Sequence, residues 1–98
     1  MEQLNRIELR GTVGSVYVKS FGNEKVTNFS LATNYSYVSK DGTPVVETTW
    51  HRVVAWNCPD ISKGSRVHVL GRLRAVRYAG TNGTTFEVLA HSVKVIEP

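Results

Sequence analysis

Apolar and polar residues alternate along most of the chain, and Gly or Pro interrupts the alternation every ten to twenty residues. Val, Ile, Thr and aromatic residues dominate these segments, and no long stretch has apolar residues at the helical spacing i, i+3, i+4 and i+7. Alternation with period two is typical of strands with one buried face. The pattern therefore predicts an all-β chain.

The first predicted strand changes phase in its middle. Apolar residues occupy odd positions from Ile7 to Val13, but Val16 and Val18 occupy even positions after Gly14. A glycine at a phase change indicates a β-bulge, in which one extra residue bends the strand and redirects its side chains. We expect this strand to curl over two sheets.

Four further strands are predicted at about 26–38, 45–57, 66–78 and 85–96. Asp41-Gly42 predicts a hairpin between the second and third strands, and Thr81-Asn82-Gly83 predicts a type I′ hairpin between the fourth and fifth. The segment 58–64 contains Pro59 and is too short for more than one helical turn.

Five antiparallel strands without crossover helices fit a small closed barrel such as the five-stranded Greek-key OB-fold. An SH3-like barrel or a small sandwich also fits the pattern, which does not choose among them. Ninety-eight residues are enough for one domain, and no repeat or linker divides the chain. We expect a single domain over 1–98.

Cysteine usage and hydropathy bear on the compartment. Cys58 is the single cysteine, so an internal disulfide is excluded. Charged residues near the N-terminus do not resemble a signal peptide, and the longest apolar run, 53–56, is far too short to span a membrane. We expect a cytoplasmic protein.

The net charge of +4 is concentrated in one part of the chain. Residues 1–49 hold five Lys and Arg against five Asp and Glu, whereas residues 50–98 hold seven against three. Within residues 52–77 only Asp60 opposes six cations. These are Arg52, Lys63, Arg66, Arg72, Arg74 and Arg77. Such clustering is typical of a polyanion-binding surface, although proteins that bind no nucleic acid also carry modest basic surfaces.

Parity sorts the faces of the third and fourth strands. On the fourth strand one face is apolar and predicted to be core: Val67, Val69, Gly71, Leu73 and Ala75. Its other face mixes cations, His68 and Tyr78. On the third strand Trp50 and Trp56 share a face with Arg52. Single-stranded nucleic acid offers phosphates to cations and base faces to aromatic rings, so this interleaving favours a nucleic-acid surface.

The alternative interpretation places both tryptophans in the core, where Trp is often largely buried. Arg52 argues against it, because an arginine in a core stripe would need a buried partner for its charge.

Other chemistry has little support in the sequence. The three histidines are predicted on separate strands without metal-site spacing, and we expect no metal and no cofactor. The acids Glu8, Glu24, Glu47, Asp60 and Glu87 are dispersed, with no carboxylate pair, phosphate loop or nucleophile turn. Nothing in the sequence indicates an enzyme.

Five short segments in order resemble the DNA-binding domain of bacterial single-stranded DNA-binding proteins (SSB). They are Asn5-Arg6-Ile7-Glu8-Leu9-Arg10-Gly11, Phe29-Ser30-Leu31-Ala32-Thr33, Thr49-Trp50-His51-Arg52-Val53-Val54, Lys63-Gly64-Ser65 and Gly71-Arg72-Leu73-Arg74. The resemblance extends from Asn5 to about Val95. It implies an OB-fold, binding of single-stranded DNA without sequence preference, roles in replication, recombination and repair, and assembly into homotetramers.

The resemblance also implies roles for individual residues. The stacking aromatics of the family fall on Tyr37, Trp50, Trp56 and Tyr78, and its basic contacts fall on Arg6, Arg52, Lys63, Arg74 and Arg77. His51 matches a histidine at the subunit interface of the family, consistent with its predicted place on the face opposite Trp50. Arg72 joins the candidate DNA contacts through the basic segment.

Two departures from the family pattern affect these expectations. The family has a longer helical segment between the third and fourth strands, where 57–62 leaves room for a turn only. The family usually continues into a flexible linker and an acidic tip that recruits replication and repair enzymes, whereas this chain stops at Pro98. The alternatives are a tailless paralogue, a truncated product, and a protein resembling the dimeric primosomal replication protein of the same fold. The last would act mainly as an interaction module in replication restart. An RNA-binding barrel is a further one, because stacking platforms accept either sugar.

Overall fold

The computed structural model describes residues 2–77 and 83–97. Within them there are five strands and no helix, and so no helix that crosses a membrane. The strands are β1 (Ile7–Phe21), β2 (Glu24–Val38), β3 (Pro44–Trp56), β4 (Arg66–Arg77) and β5 (Thr84–Glu97). They form a closed barrel in the order β1-β2-β3-β5-β4, which confirms the predicted OB-fold barrel.

Neighbouring strands are antiparallel except at one seam. β3 and β5 run parallel over a short register in which Val53 lies opposite Val88 and Ala55 lies opposite Ala90. β1 pairs with both β2 and β4, so its curvature closes the other side of the barrel.

The predicted bulge in β1 is confirmed. Val13 lies opposite Leu31, but Val16 lies opposite Phe29, so β1 holds one more residue than β2 across this interval. Because of that residue, odd positions face the core before the bulge and even positions face it afterwards. Tyr17 consequently points away from the core.

The core is built from the alternating apolar positions of all five strands. Its fully or nearly buried members are Val13, Phe29, Leu31, Val53, Ala55, Val67, Val69, Val88 and Val93. Ile7, Leu9 and Val16 are partly buried and pack against this cluster. Neither tryptophan belongs to it.

The prediction that Leu73 and Ala75 belong to the core is wrong. Leu73 is 43% exposed and Ala75 is exposed as well. β1 pairs with β4 only as far as Gly71, where the β4–β5 register also shifts. Beyond that point β4 pairs with β5 alone, and beyond the β3–β5 pairing at Val88 the two strands continue as a two-stranded arm, so the parity of β4 no longer distinguishes core from solvent.

A second arm is formed by the β2–β3 hairpin. β1 pairs with β2 only up to Ala32, whereas β2 and β3 pair as far as Val38 opposite Pro44. In the turn of this hairpin, the Asp41 carboxylate accepts hydrogen bonds from the Ser39 hydroxyl and the Thr43 amide. These bonds lower the pKa of the Asp41 carboxyl to about 2. Of the predicted β4–β5 turn, Thr81 and Asn82 lie outside the described residues.

Candidate nucleic-acid interface

The sheet formed by β1, β2 and β3 has a polar and aromatic side that faces away from the core. Core residues Phe29 and Val53 alternate along their strands with Ser30 and Arg52, which lie opposite each other on that side. We use the name outer face for this side of the three strands. Its members include Tyr17, Lys19, Phe21, Asn28, Ser30, Trp50, Arg52 and Trp56.

Two adjoining depressions form a groove at one end of the outer face. The larger has a volume of about 630 Å³, and its lining comprises Ser15, Tyr17, Asn28, Phe29, Ser30, Trp50, His51, Arg52, Val76 and Glu87. The second, of about 440 Å³, shares Ser15, Ser30 and Trp50 with the first and adds Gly14 and Lys63. Trp50 therefore lies between Arg52 on one side and Lys63 on the other.

The tryptophans are exposed, so the interpretation that places them in the core is wrong. The Trp50 side chain is 61% exposed and that of Trp56 is 49% exposed. The Trp50 ring lies over the backbone of Gly14, where a β-carbon would stand 2.7 Å from Cζ3 of the ring. A glycine at position 14 therefore allows the Trp50 ring to lie this close to the β1 backbone. Most of the ring surface remains exposed and available to a ligand.

An acidic residue lies in the wall of the groove on the β4–β5 arm. The Glu87 side chain is buried, and its Oε1 accepts a hydrogen bond from Nη2 of Arg74 at 3.3 Å. The Nε of Arg74 is buried without a hydrogen-bond partner among the described residues. Arg74 is therefore held partly by Glu87, unlike Arg6, Lys63, Arg72 and Arg77, which are exposed.

The basic residues at the start of β4 belong to a different surface. Arg66 forms an exposed ion pair with Glu97 at 3.9 Å, and Nε2 of His68 lies 2.6 Å from Oε2 of Glu8. This contact with His68 lowers the pKa of the Glu8 carboxyl. The structure thus separates Arg66 and His68 from the groove, although the sequence pattern grouped them with Arg74.

Tyr37 lies on the opposite side of the β2–β3 sheet from Trp50. Tyr37 and Tyr35 both have the parity of the core residue Leu31 on β2. Their ring centroids lie 6.0 Å apart. The Tyr37 hydroxyl donates a hydrogen bond of 3.4 Å to Glu47. A strand of nucleic acid that touches both Trp50 and Tyr37 must pass round the hairpin edge. Tyr78 lies outside the described residues.

His51 also has core parity, so the structure confirms that His51 and Trp50 lie on opposite faces of β3. Its Nε2 is 2.8 Å from Oγ1 of Thr33 on the neighbouring strand. The ring is half-buried, and this burial lowers the pKa of His51 below 6.5 because desolvation disfavours the imidazolium form.

The depressed pKa of His51 predicts a pH-dependent stability. Below about pH 6.5 the unfolded chain binds a proton at this histidine more readily than the folded one, so the free energy of unfolding falls as the pH is lowered. Chemical denaturation at several pH values between about 5 and 7.5 should reveal this slope. His51→Gln should reduce this slope relative to the unmodified protein. An equal slope in His51→Gln and in the unmodified protein would contradict the assignment.

Several residues of the outer face were not predicted from the sequence. Tyr17, Lys19 and Phe21 follow the bulge in β1, and their orientation depends on the phase change that the bulge introduces. The shift of apolar residues to the even positions Val16 and Val18 was the sequence signal from which the outward orientation of Tyr17, Lys19 and Phe21 could have been predicted. Among residues 2–77 and 83–97 no group of His, Cys, Asp or Glu side chains is arranged to hold a metal ion.

Comparison with known proteins gives a consistent result. The model of the single-strand binding protein family matches residues 4–97. A single-stranded DNA-binding protein of Neisseria meningitidis is 29% identical over 95% of this chain, and the mitochondrial one of Danio rerio is 34% identical over 83%. The chain spans 60% and 66% of the lengths of these two relatives.

Solved structures share the fold. A complex of Plasmodium falciparum SSB with ssDNA superposes with a TM-score of 0.79 at 28% identity, over 100% of this chain and 97% of that one. A deletion mutant of the single-stranded DNA binding protein from Thermus aquaticus gives a TM-score of 0.77 at 21% identity, over 96% of this chain and 51% of that one. The second likeness shows the fold alone.

Proposed function

Since the chain belongs to the single-strand binding protein family, we propose that it binds single-stranded DNA along the groove of its outer face without reading sequence. One observation carries the proposal: the exposed Trp50 ring lies between Arg52 and Lys63 in a groove that continues on both sides of it. A ring offers a stacking platform to any base, and the flanking cations attract the phosphates on either side.

The proposed mechanism uses each group according to its chemistry. Bases stack on Trp50, and further along the outer face on Trp56, while Arg52 and Lys63 neutralise phosphates. Arg6, Arg72, Arg74 and Arg77 supply further positive charge, and Tyr37 and Tyr78 are proposed to extend the stacking surface. Since every base has an aromatic face, stacking supplies affinity without specificity.

A duplex is a poor ligand for such a site, because its base faces are already stacked on one another and are closed to aromatic side chains. The protein would therefore coat single strands and block reannealing and nuclease access during replication, recombination and repair. We propose that it acts in the cytoplasm as a binding protein and not as an enzyme.

Self-association is part of the proposal. His51 contributes to the groove lining, but its ring lies beside Thr33, on the face of β3 opposite Trp50. We propose it as the candidate for a contact between subunits of a homotetramer, since such a contact leaves the exposed ring of Trp50 free for DNA.

The test of the proposal is a titration of the two tryptophans with oligo(dT) of about 35 nucleotides, using their fluorescence as the signal. Quenching by single-stranded DNA, and little by a duplex of equal length, is the expected result. The logarithm of the association constant should fall with the logarithm of salt concentration by about 0.7 per phosphate contact, giving a slope near −3 for roughly four contacts per protomer. A slope near zero would refute the role of the arginines, and equal quenching by matched RNA would favour the RNA-binding alternative.

A further inference from the structure

A second cluster of exposed aromatic and basic residues lies where the β1–β2 hairpin meets the end of β3. The Phe21 side chain is 50% exposed, and its ring centroid lies 6.0 Å from that of Trp56, with the planes tilted by 32°. The Nζ of Lys19 is 5.6 Å from the centroid of the Phe21 ring, within the range of a cation–π contact. We call these three residues the hairpin cluster.

Hydrogen bonds fix the position of this cluster. The Lys25 amide donates to Oδ1 of Asn57 at 3.0 Å, and the Asn57 amide donates to the Lys25 carbonyl at 2.8 Å. They join the hairpin to the residue that follows Trp56, and Val26 lies buried between Lys19 and Trp56 in the strand register. These hydrogen bonds hold the backbone that carries the rings, and the contact between Phe21 and Trp56 holds the rings against each other, which lowers the cost of ordering them when a ligand binds.

The hairpin cluster is continuous with the groove. Tyr17, which lines the groove, is exposed and lies two positions before Lys19 on the same face of β1. Trp56 comes six positions after Trp50 on one face of β3, a distance of about 20 Å at about 3.3 Å per residue. The outer face thus carries rings and cations on both β1 and β3 between Trp50 and Phe21.

We propose that the hairpin cluster is a second stacking site for single-stranded nucleic acid, in which Phe21 and Lys19 bind the same strand that occupies the groove. This inference rests on the proposed function. The charge of Lys19 and the continuity with the groove favour a nucleic-acid strand over a protein partner. Stacked bases about 3.4 Å apart need about six nucleotides to cover the 20 Å, so a shorter oligomer does not engage both sites.

Single-tryptophan variants test the proposal directly, since the chain has two tryptophans. In Trp50→Phe only Trp56 reports, and its fluorescence should be quenched strongly by oligo(dT) of about 35 nucleotides and little by one of about 4. In Trp56→Phe only Trp50 reports, and both oligomers should quench it. The difference arises because the groove holds one end of a long strand at high local concentration near the cluster.

Phe21→Ala should lower the affinity for the long oligomer by about 5-fold or more and leave that for the short one unchanged. Lys19→Gln should reduce the salt slope for the long oligomer by about 0.7. The matched control is Phe86→Ala, because Phe86 is similarly exposed, at 58%, but has the opposite parity to the groove residue Glu87 on β5.

The outcomes separate the two proposals. If Phe21→Ala binds the long oligomer as the unmodified protein does, the hairpin cluster is not a stacking site although the groove still is. If Phe21→Ala instead changes the mass of the free protein in solution and not its DNA affinity, the cluster is a contact between copies and the inference fails. If the unmodified protein binds neither oligomer, the proposed function fails and this inference fails with it.

Discussion

Trp50→Ala should lower the affinity for single-stranded DNA by about 1–3 kcal/mol, or about 5-fold to 140-fold, and leave the fold intact. The loss follows from the place of the ring, which is mostly exposed and central in the groove. Because little apolar surface is buried by this side chain, the free energy of unfolding should change by less than about 1 kcal/mol.

Anisotropy of a labelled oligomer measures the affinity of this variant without a tryptophan signal, and urea denaturation measures its stability. Trp50→Phe is the matched variant, since it keeps a smaller aromatic face and should lose less affinity. Full affinity in Trp50→Ala would remove stacking at this site from the mechanism. A collapsed fold would show instead that the ring stabilises the barrel.

Leu31→Ala should lower stability and not DNA affinity: we expect the free energy of unfolding to fall by about 2–5 kcal/mol. Leu31 is completely buried in β2 between the bulge of β1 and the strand that carries Trp50. Truncation leaves a cavity beneath the outer face, in a domain whose total stability is expected to be about 5–15 kcal/mol.

Chemical denaturation followed by circular dichroism measures this change, with the denaturant dependence m unchanged if both variants unfold in one step. Leu4→Ala is the control, because Leu4 is almost fully exposed before β1 and should contribute about 0.5 kcal/mol or less. Molecules of Leu31→Ala that remain folded should bind DNA normally. A cost below about 1 kcal/mol would mean that the barrel closes over the vacant space.

Strand positions followed from local patterns, and these were sufficient for most of the fold. Alternation along β3 placed Trp50, Arg52 and Trp56 on one face, and the phase change after Gly14 predicted the bulge. Both signals lie within a few residues of the features that they predict, since side-chain direction in a strand is a local property.

Features that depend on distant strands were not predictable in this way. Leu73 is exposed because β1 stops pairing with β4 at Gly71, which no pattern within β4 reveals. Glu87 looked like one of several dispersed acids, but the register brings it opposite Arg74 on the groove wall. The contact between Phe21 and Trp56 likewise joins two strands far apart in the chain.

The bulge in β1 behaves as a frame shift within a single strand. All residues after it owe their side of the sheet to one additional position in the chain. If the same sequence continued in simple alternation past Val13, without a bulge, Tyr17 would face the core and Val16 would face outward, although neither residue would have changed. The chemistry of the hairpin is therefore encoded by the spacing of β1 as much as by its amino acids, and relatives with a different spacing here should present a different surface.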